Sequence, residues 1–219
     1  MHKLLNIPIA FLLLASCAPY AKGPVFTLEK AEDTFQPIVD FMEIQPGMAV
    51  ADFGAGSGAL TVIMAMQLDR CTVYIQDIDH KVLQQKNVNK MIAYYSTQLG
   101  YDLGKHNQFH VIYGTTTQSN LPDRSIDRIY SNATMHVLDT PDVVLQDLRN
   151  KLKADGKIFI RDSFRGDHGE GEFCPSSDCG KRLLSIDEFL TMMTKNGYRL
   201  SKQAPDMDGY PVFGFELNE

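Results

Sequence analysis

The chain has no long run of like charge, no internal repeat and no apolar stretch long enough to cross a bilayer. Basic residues are outnumbered, 21 Lys and Arg against 27 Asp and Glu, for a formal net charge of −6. A nucleic-acid binder relies on a basic surface to displace counterions, so this balance argues against that partner class. No linker marks a second domain, and 219 residues leave room for one domain with a sizeable core and little else. Hydrophobic residues at 44% and charged residues at 22% exclude a disordered tail or a fibrous repeat. Composition bounds the class, and function has to come from sites.

Cysteine is scarce, with four in the chain, and the first closes a distinctive opening segment. A short start carrying Lys3 leads into an apolar stretch from Ile7 to Ala15, broken only by Pro8. It falls short of the ~20 residues a bilayer span needs and has the length of a signal-peptide core. Leu14-Ala15-Ser16-Cys17 follows where that core stops, and it resembles the lipobox of bacterial lipoproteins. The resemblance implies cleavage before Cys17 and acylation of its sulfur and amine, several chains together anchoring firmly where one would not. It divides the chain into a signal peptide over 1–16, a tether over 17–26 and a domain over 27–219. Ala18 after the cysteine, in place of Asp, points to the outer membrane, so the expected location is the bacterial cell envelope, lipid-anchored and facing the periplasm. An ordinary secretory signal cut a few residues later, or a buried helix with a chance cysteine, stays open.

The body alternates helix and strand. Residues 27–43 read as helix around an interruption at Pro37, and Met48 to Phe53 as a short buried strand. A loop over Gly54–Gly58 precedes a helix over Ala59–Leu68, a strand over Thr72–Gln76 and a long helix over Asp79–Gln98. Strands follow at Phe109–Tyr113 and Ile126–Ser131. Pro141, in the first turn after Thr140, opens a helix to about Lys153, and Asp155-Gly156 turns into a strand from Lys157 to Ile160. A Gly- and Asp-rich stretch precedes a helix from Ser185 to about Lys195 and two strands near Tyr198–Lys202 and Val212–Leu217. This order predicts an α/β fold, a doubly wound, mostly parallel sheet with an antiparallel C-terminal hairpin.

The strongest chemical signal is Asp52-Phe53-Gly54-Ala55-Gly56-Ser57-Gly58, a strand ending in glycines that lead into a helix. Only glycine lets a backbone approach a ligand that closely, with its N–H groups and the helix N-terminus turned toward it. Nineteen residues beyond Gly58, at the end of the next strand, stands Asp77. A carboxylate there can accept from both hydroxyls of a ribose, so the combination points to a nucleoside cofactor. Gly54, Gly56 and Ala59 also satisfy the dinucleotide pattern G-x-G-x-x-G/A, which keeps an NAD-dependent oxidoreductase open. Two features favour S-adenosylmethionine instead: Asp52 can reach a cationic amino group, and Gly58 completes a G-x-G-x-G run with no pyrophosphate to cradle.

On these residues the chain resembles the class I S-adenosylmethionine-dependent methyltransferases from about Phe26 to Leu217. Asp52 to Gly58 is similar to their first motif, and Tyr74 to Asp79 to their second. Leu121 to Tyr130 and Leu152 to Ile160 resemble the approaches to their fourth and fifth strands. The resemblance implies seven strands with the last inserted antiparallel, Asp77 on the ribose, and Ile78 packed on adenine. Gly54, Ala55, Gly56 and Gly58 line the cofactor. One departure stands out: where many relatives carry an acid after the third strand, this chain has Gly114-Thr115-Thr116-Thr117. The Thr115 hydroxyl can still accept from the adenine amine, more weakly than a charged group.

The same resemblance puts the methyl acceptor near Ser131 to His136 and Arg161-Asp162-Ser163, with Asn132 beside the cofactor. Free imidazole titrates near neutrality, so His136 is the candidate general base; a histidine satisfied by backbone is the plainer alternative. Cys174 and Cys179 invite a local disulfide in an oxidising periplasm, with a zinc site including His168 as the alternative. The segment Phe164–Lys181 is long for a loop, suiting a cover over the acceptor. Export conflicts with a cofactor made in the cytoplasm. The chain is therefore expected to be an exported methyltransferase for a small-molecule acceptor. The rival is a non-catalytic envelope protein that keeps the fold as a ligand- or partner-binding module.

Overall fold

A computed structural model describes residues 25–166, 181–207 and 210–218. Cys17, Cys174, Cys179 and His168, with the disulfide, zinc and lipid-anchor readings, lie outside the described residues, as does most of the expected cover.

The first helix, α1 (Leu28–Phe41), runs unbroken through Pro37, where the sequence predicts an interruption. Pro37 forfeits one backbone bond. Burial of Ala31, Phe35, Ile38 and Val39 along one face, with the Thr27 side chain capping Lys30 N–H, holds the helix together. Strand β1 (Ala49–Phe53) leads to α2 (Ala59–Met64), which tightens into a 3-10 turn over Ala65–Gln67. After β2 (Thr72–Asp77), α3 (Gln85–Leu99) starts later than its periodicity suggests. The Asp79 carboxylate accepts from the N–H groups of Lys81 and Val82 and closes a turn first. A one-turn α4 (Leu103–His106) precedes β3 (Gln108–Tyr113), and β4 (Ile126–Asn132) follows. Helix α5 (Pro141–Lys151) runs straight into β5 (Leu152–Arg161). That strand begins earlier than the sequence suggests because Leu152 already pairs with Ile126, while Lys153–Gly156 bulge before Lys157 joins Arg128. A capping box of Ser185 and Glu188 starts α6 (Ile186–Lys195), and β6 (Tyr198–Met207) and β7 (Tyr210–Leu217) close the chain.

The sheet has seven strands in the order β3-β2-β1-β4-β5-β7-β6. Strands β1 to β5 are parallel, and β7 slots antiparallel between β5 and β6. The expected α/β, doubly wound, mostly parallel sheet with its antiparallel hairpin is the observed fold. Register decides which side chains share a face. Asp52, Tyr130 and Phe159 are partners across neighbouring strands, and so are Gln76, Phe53, Ser131 and Ile160 one row on. The first row belongs to the face covered by α1, α2 and α3, where Phe35, Ile38, Ile63 and Tyr95 pack. The second belongs to the face covered by α5 and α6, where Leu145, Leu148, Phe189 and Phe213 pack. From β1 the connections run one way to β2 and β3, and from β4 the other way, so a crevice opens at the strand C-termini between β1 and β4.

Candidate functional site

At that crevice the chain leaves β1 through glycines in the left-handed region, Gly54 at φ +78°, Gly56 at +56° and Gly58 at +76°. At Gly54 the need for glycine is steric as well. A Cβ there would stand 2.2 Å from Thr134 Oγ1. The N–H groups of Gly54 and Ala55 both donate to the Gln76 carbonyl, at 3.0 and 2.9 Å, tying the loop to the end of β2. Gly56 N–H donates to Asp77 Oδ2 at 2.7 Å, and Asp79 N–H to Asp77 Oδ1 at 2.8 Å. The glycines and the acid that the sequence pairs by spacing are thus in direct contact.

Gly54 separates two cavities and lines both. One, of about 260 Å³, is walled by Phe53, Gln76, Asp77, Ile78, Thr115, Ala133, Val137, Leu138 and Val144. It is largely apolar, with Asp77 and Asp139 as its carboxylates and, beside Asp77, Ile78, an isoleucine 49% exposed. Thr115 stands at this cavity in a different hydrogen-bonding state from the one its sequence context suggests. Its hydroxyl accepts from Gln118 N–H at 3.0 Å and from Thr117 N–H at 3.3 Å, closing its own turn. The other cavity, of about 230 Å³, lies on the α1 face. Asp52, Gly54, Ala55, Gly56, Tyr130, Asn132 and Arg161 line it, roofed by Phe26, Thr34, Phe35 and Ile38. Asp52 is 6% exposed, and burial pushes its carboxyl up to about 6, against the opposing hydrogen bond from Thr61 at 2.5 Å; the Asp77 charge adds to the rise. A buried carboxylate facing an open cavity is suited to a cation.

His136 sits in a 3-10 turn after β4, and a carboxylate meets its ring at Nδ1. Nδ1 lies 2.5 Å from Asp162 Oδ1, and Asp162 Oδ2 accepts from His136 N–H at 3.2 Å. Asp162, 2% exposed just past β5, also accepts from Ser163 N–H. On the opposite face Arg161 Nη1 donates to Asn132 Oδ1 at 2.9 Å, and its guanidinium lies 4.8 Å from the Tyr210 ring centroid. Ala133, between these two pairs, takes φ +53° and donates its N–H to the Arg161 carbonyl.

The structure brings Asp52, Gly54, Ala55, Gly56 and Asn132 to one cavity, and Gly54, Asp77, Ile78 and Thr115 to the other. Gly58 lies behind them as the N-cap of α2, packed toward Ile75 and Val88. His136 is not among the lining residues of either cavity. Residues the motifs did not single out complete the walls: Gln76, Tyr130, the α1 residues and Arg161. Register supplies the signal for Gln76, Tyr130 and Arg161, which stand at the ends of β2, β4 and β5 beside Gly54. Among the described residues, no group of three or more His, Cys, Asp and Glu is placed to hold a metal ion, and no helix is long and apolar enough to cross a membrane.

Comparison with known proteins agrees with this geometry. The chain is 27% identical over 185 residues to a phosphoethanolamine N-methyltransferase of Triticum aestivum, covering 83% of this chain and 34% of that one. It is 31% identical over 144 residues to phosphoethanolamine N-methyltransferase 1 of Arabidopsis thaliana, covering 65% and 26%. The chain therefore spans about a third or less of the length of these curated relatives. Among solved structures, a SAM-dependent methyltransferase from Aquifex aeolicus superposes with a TM-score of 0.60 at 22% identity, over 87% of this chain and 97% of that one. A geranyl diphosphate methyltransferase solved with SAM gives 0.60 at 14% identity, over 86% and 85%. The antiparallel β7 between β5 and β6 departs from the all-parallel six-stranded dinucleotide fold and so argues against the NAD reading, which rested on Gly54, Gly56 and Ala59. The family described as methyltransferase domain matches residues 51–160, half of the chain. That stretch holds the glycine loop, Asp77, Asn132 and the parallel core of the sheet, and the chain belongs to the class I S-adenosylmethionine-dependent methyltransferases.

Proposed function

We propose that the chain transfers the methyl group of S-adenosylmethionine to a small-molecule amine or hydroxyl acceptor, as an exported protein anchored through acylated Cys17. The observation that carries the reading is the pair of cavities meeting at Gly54, one apolar with Asp77 at its mouth, the other holding buried Asp52. Together they reach the size of ordinary small-molecule sites, about 300–1,000 Å³.

The residues fit the cofactor end to end. Asp77 takes the ribose hydroxyls, Ile78 covers one face of the adenine, and Thr115 meets its edge. Since the Thr115 hydroxyl already accepts two N–H bonds, it is placed to donate its proton to a ring nitrogen rather than to accept from the amine. Asp52 takes the ammonium of the methionine moiety, the loop from Gly54 to Gly58 allows close backbone approach, and Asn132 stands beside the reacting centre. The bound cofactor supplies an electrophilic methyl on a sulfonium, so the protein's share is positioning, exclusion of water and handling of one proton. We assign that proton to the His136 imidazole, whose ring the Asp162 carboxylate orients at Nδ1. An amine or hydroxyl acceptor loses a proton as it gains the methyl, which gives the base its purpose.

The relatives named for phosphoethanolamine suggest amino alcohols and their phosphate esters as the first acceptors to try. Purified chain is incubated with radiolabelled cofactor and that series. Methylation that falls about 10²–10⁴-fold in His136→Ala, with cofactor affinity unchanged, supports the assignment of the base. Unchanged turnover in that variant refutes it.

Calorimetric titration with S-adenosylmethionine tests the rival non-catalytic reading, which the cytoplasmic origin of the cofactor favours. No heat at millimolar ligand supports the rival. Mass spectrometry of the protein from its native membrane fraction tests the anchor: an acylated N-terminal Cys17 is expected, and an unmodified Met1 refutes it.

A further inference from the structure

Gln76 precedes Asp77 at the end of β2 and lines the cavity on the α5 side. It shares a row with Phe53 and Ser131, and it is 1% exposed. The pleat directs its side chain away from the Asp77 carboxylate, which Gly56 and Asp79 N–H hold at the mouth of the cavity.

The two ends of the Gln76 amide are in different states. Oε1 accepts from Gly54 N–H at 3.3 Å, a group that also donates to the Gln76 main-chain carbonyl at 3.0 Å. Nε2 is buried and has no hydrogen-bond acceptor among the described residues. Exchanging the two atoms gives no relief, because it would set Nε2 against Gly54 N–H, donor against donor. A buried amide donor without an acceptor costs stability, and in a cavity wall it marks a place where a ligand can supply the acceptor.

Gly114, just past β3, gives this amide its space. A Cβ at Gly114 would stand 2.2 Å from Nε2. Gly114 is not among the glycines with positive φ, so the position needs glycine for room and not for conformation. The last torsion of a glutamine is soft, so within that room Nε2 can turn toward the cavity. The carboxylates of the wall have partners of their own, Asp77 in two loop N–H groups and Asp139 in Lys181. The acceptor therefore has to arrive with the ligand. On a purine, the exocyclic amine donates and the ring nitrogens N1, N3 and N7 accept, so an N–H donor selects a ring nitrogen.

We propose that Gln76 is a specificity-determining residue of the base subsite, its Nε2 donating to a ring nitrogen of the cofactor's purine. This rests on the placement of the nucleoside beside Asp77 argued above.

The test measures calorimetric affinities of the full chain for S-adenosylhomocysteine and for its 1-deaza, 3-deaza and 7-deaza analogues, in which C–H replaces one ring nitrogen. Wild type, Gln76→Met and Gln76→Leu are compared. The wild type should lose about tenfold with one analogue, and Gln76→Met should bind that analogue about as well as it binds S-adenosylhomocysteine. Thermal melts add a readout that a purely structural role would move the other way. Removing an orphan donor at nearly constant volume should leave Gln76→Met level with the wild type or a few degrees above it, since Gly54 N–H keeps the main-chain carbonyl. Gln76→Leu carries the same comparison should the methionine variant not fold.

Equal ratios among the four ligands in wild type and variants overturn the proposal. So does a lowered melting temperature with a uniform affinity loss for every ligand, which would make Gln76 part of the wall alone. Where the wild type binds S-adenosylhomocysteine and Asp77→Ala weakens it, such results remove only the proposal. Failure of the wild type to bind S-adenosylhomocysteine, or equal binding by Asp77→Ala, removes the nucleoside placement and the proposal together.

Discussion

The two cavities on either side of Gly54 are similar in size and opposite in chemistry. The one on the α5 side is largely apolar, and of its two carboxylates, Asp77 and Asp139, Asp77 is partly exposed and satisfied by two loop N–H groups. The one on the α1 side has an acid driven so far into the protein that its carboxyl titrates near 6, facing an arginine across the cavity. The difference follows from pleat and register. Asp52 and Phe53 are consecutive on β1, so one turns its carboxylate to the α1 face and the other its ring to the α5 face. A ligand lying across Gly54 meets an apolar slot at one end and a charged chamber at the other, which suits a nucleoside joined to an amino acid.

Gly54→Ala should break both sides at once and have the largest effect. The left-handed φ of +78° and a Cβ 2.2 Å from Thr134 Oγ1 together cost about 2–4 kcal/mol of stability. The loop cannot keep its place between the cavities, so S-adenosylhomocysteine affinity should fall by about 100-fold or more. Denaturant melts read the first and calorimetry the second. Asp77→Ala follows on the α5 side: it removes the ribose acceptor and releases Gly56 and Asp79 N–H, for an affinity loss of about 10–100-fold. Equal affinity in wild type and Asp77→Ala would remove the nucleoside from that cavity.

The legible part of this site was the part built from neighbours in sequence. Gly54 to Gly58 and Asp77 stand at the ends of adjacent strands, so spacing alone pointed to them, and the hydrogen bond from Gly56 to Asp77 is the contact that spacing implied. The parallel core of the sheet followed from alternation of helix and strand, and the inserted β7 from the family resemblance. The pairing of His136 with Asp162 was not legible, because it depends on Asn132 meeting Arg161 in register across β4 and β5. Tyr210 behind Arg161 depends on the hairpin folding back beside β5. Local competition defeated the boundary of α3, where the Asp79 side chain takes backbone donors that a helix would otherwise use. Pro37 misled in the other direction, since buried contacts outweigh one missing hydrogen bond.

Asp52 sharpens the comparison through pH. Its carboxyl titrates near 6 in the folded chain against 3.8 when free, because burial disfavours the charged form. A raised folded value means that Asp52 contributes most to stability below about pH 4, and that this contribution is lost as pH rises through 6. The ionised group then costs about 3 kcal/mol. Asp52→Asn should therefore melt a few degrees above the wild type at pH 8 and level with it near pH 4. Ligand binding runs the opposite way. An ammonium needs the ionised carboxylate, so affinity should be flat above about pH 6 and fall about tenfold per unit below it, a fall absent from Asp52→Asn. A variant that gains stability at pH 8 while losing about 10–100-fold in affinity would mark Asp52 as held charged for its ligand. A pH-independent wild-type affinity would separate Asp52 from the cofactor's cation.

The smallest effects belong to the rim of the α5-side cavity, and they separate packing from hydrogen bonding. Ile78 is 49% exposed in the free chain, so its side chain gains little from folding and is covered only when a base lies against it. Ile78→Ala should leave the melting temperature unchanged and weaken S-adenosylhomocysteine by about fivefold, roughly 1 kcal/mol of apolar cover. Thr115 has the reverse balance. Its hydroxyl already closes a turn with Gln118 and Thr117, so Thr115→Val loosens that turn and removes one weak neutral donor to the base, for about a threefold loss. Thr115→Ser keeps both the turn and the donor and should match the wild type. A rim residue that alters stability but not affinity is part of the wall, whereas Ile78 is expected to do the opposite because the free chain leaves it open to water.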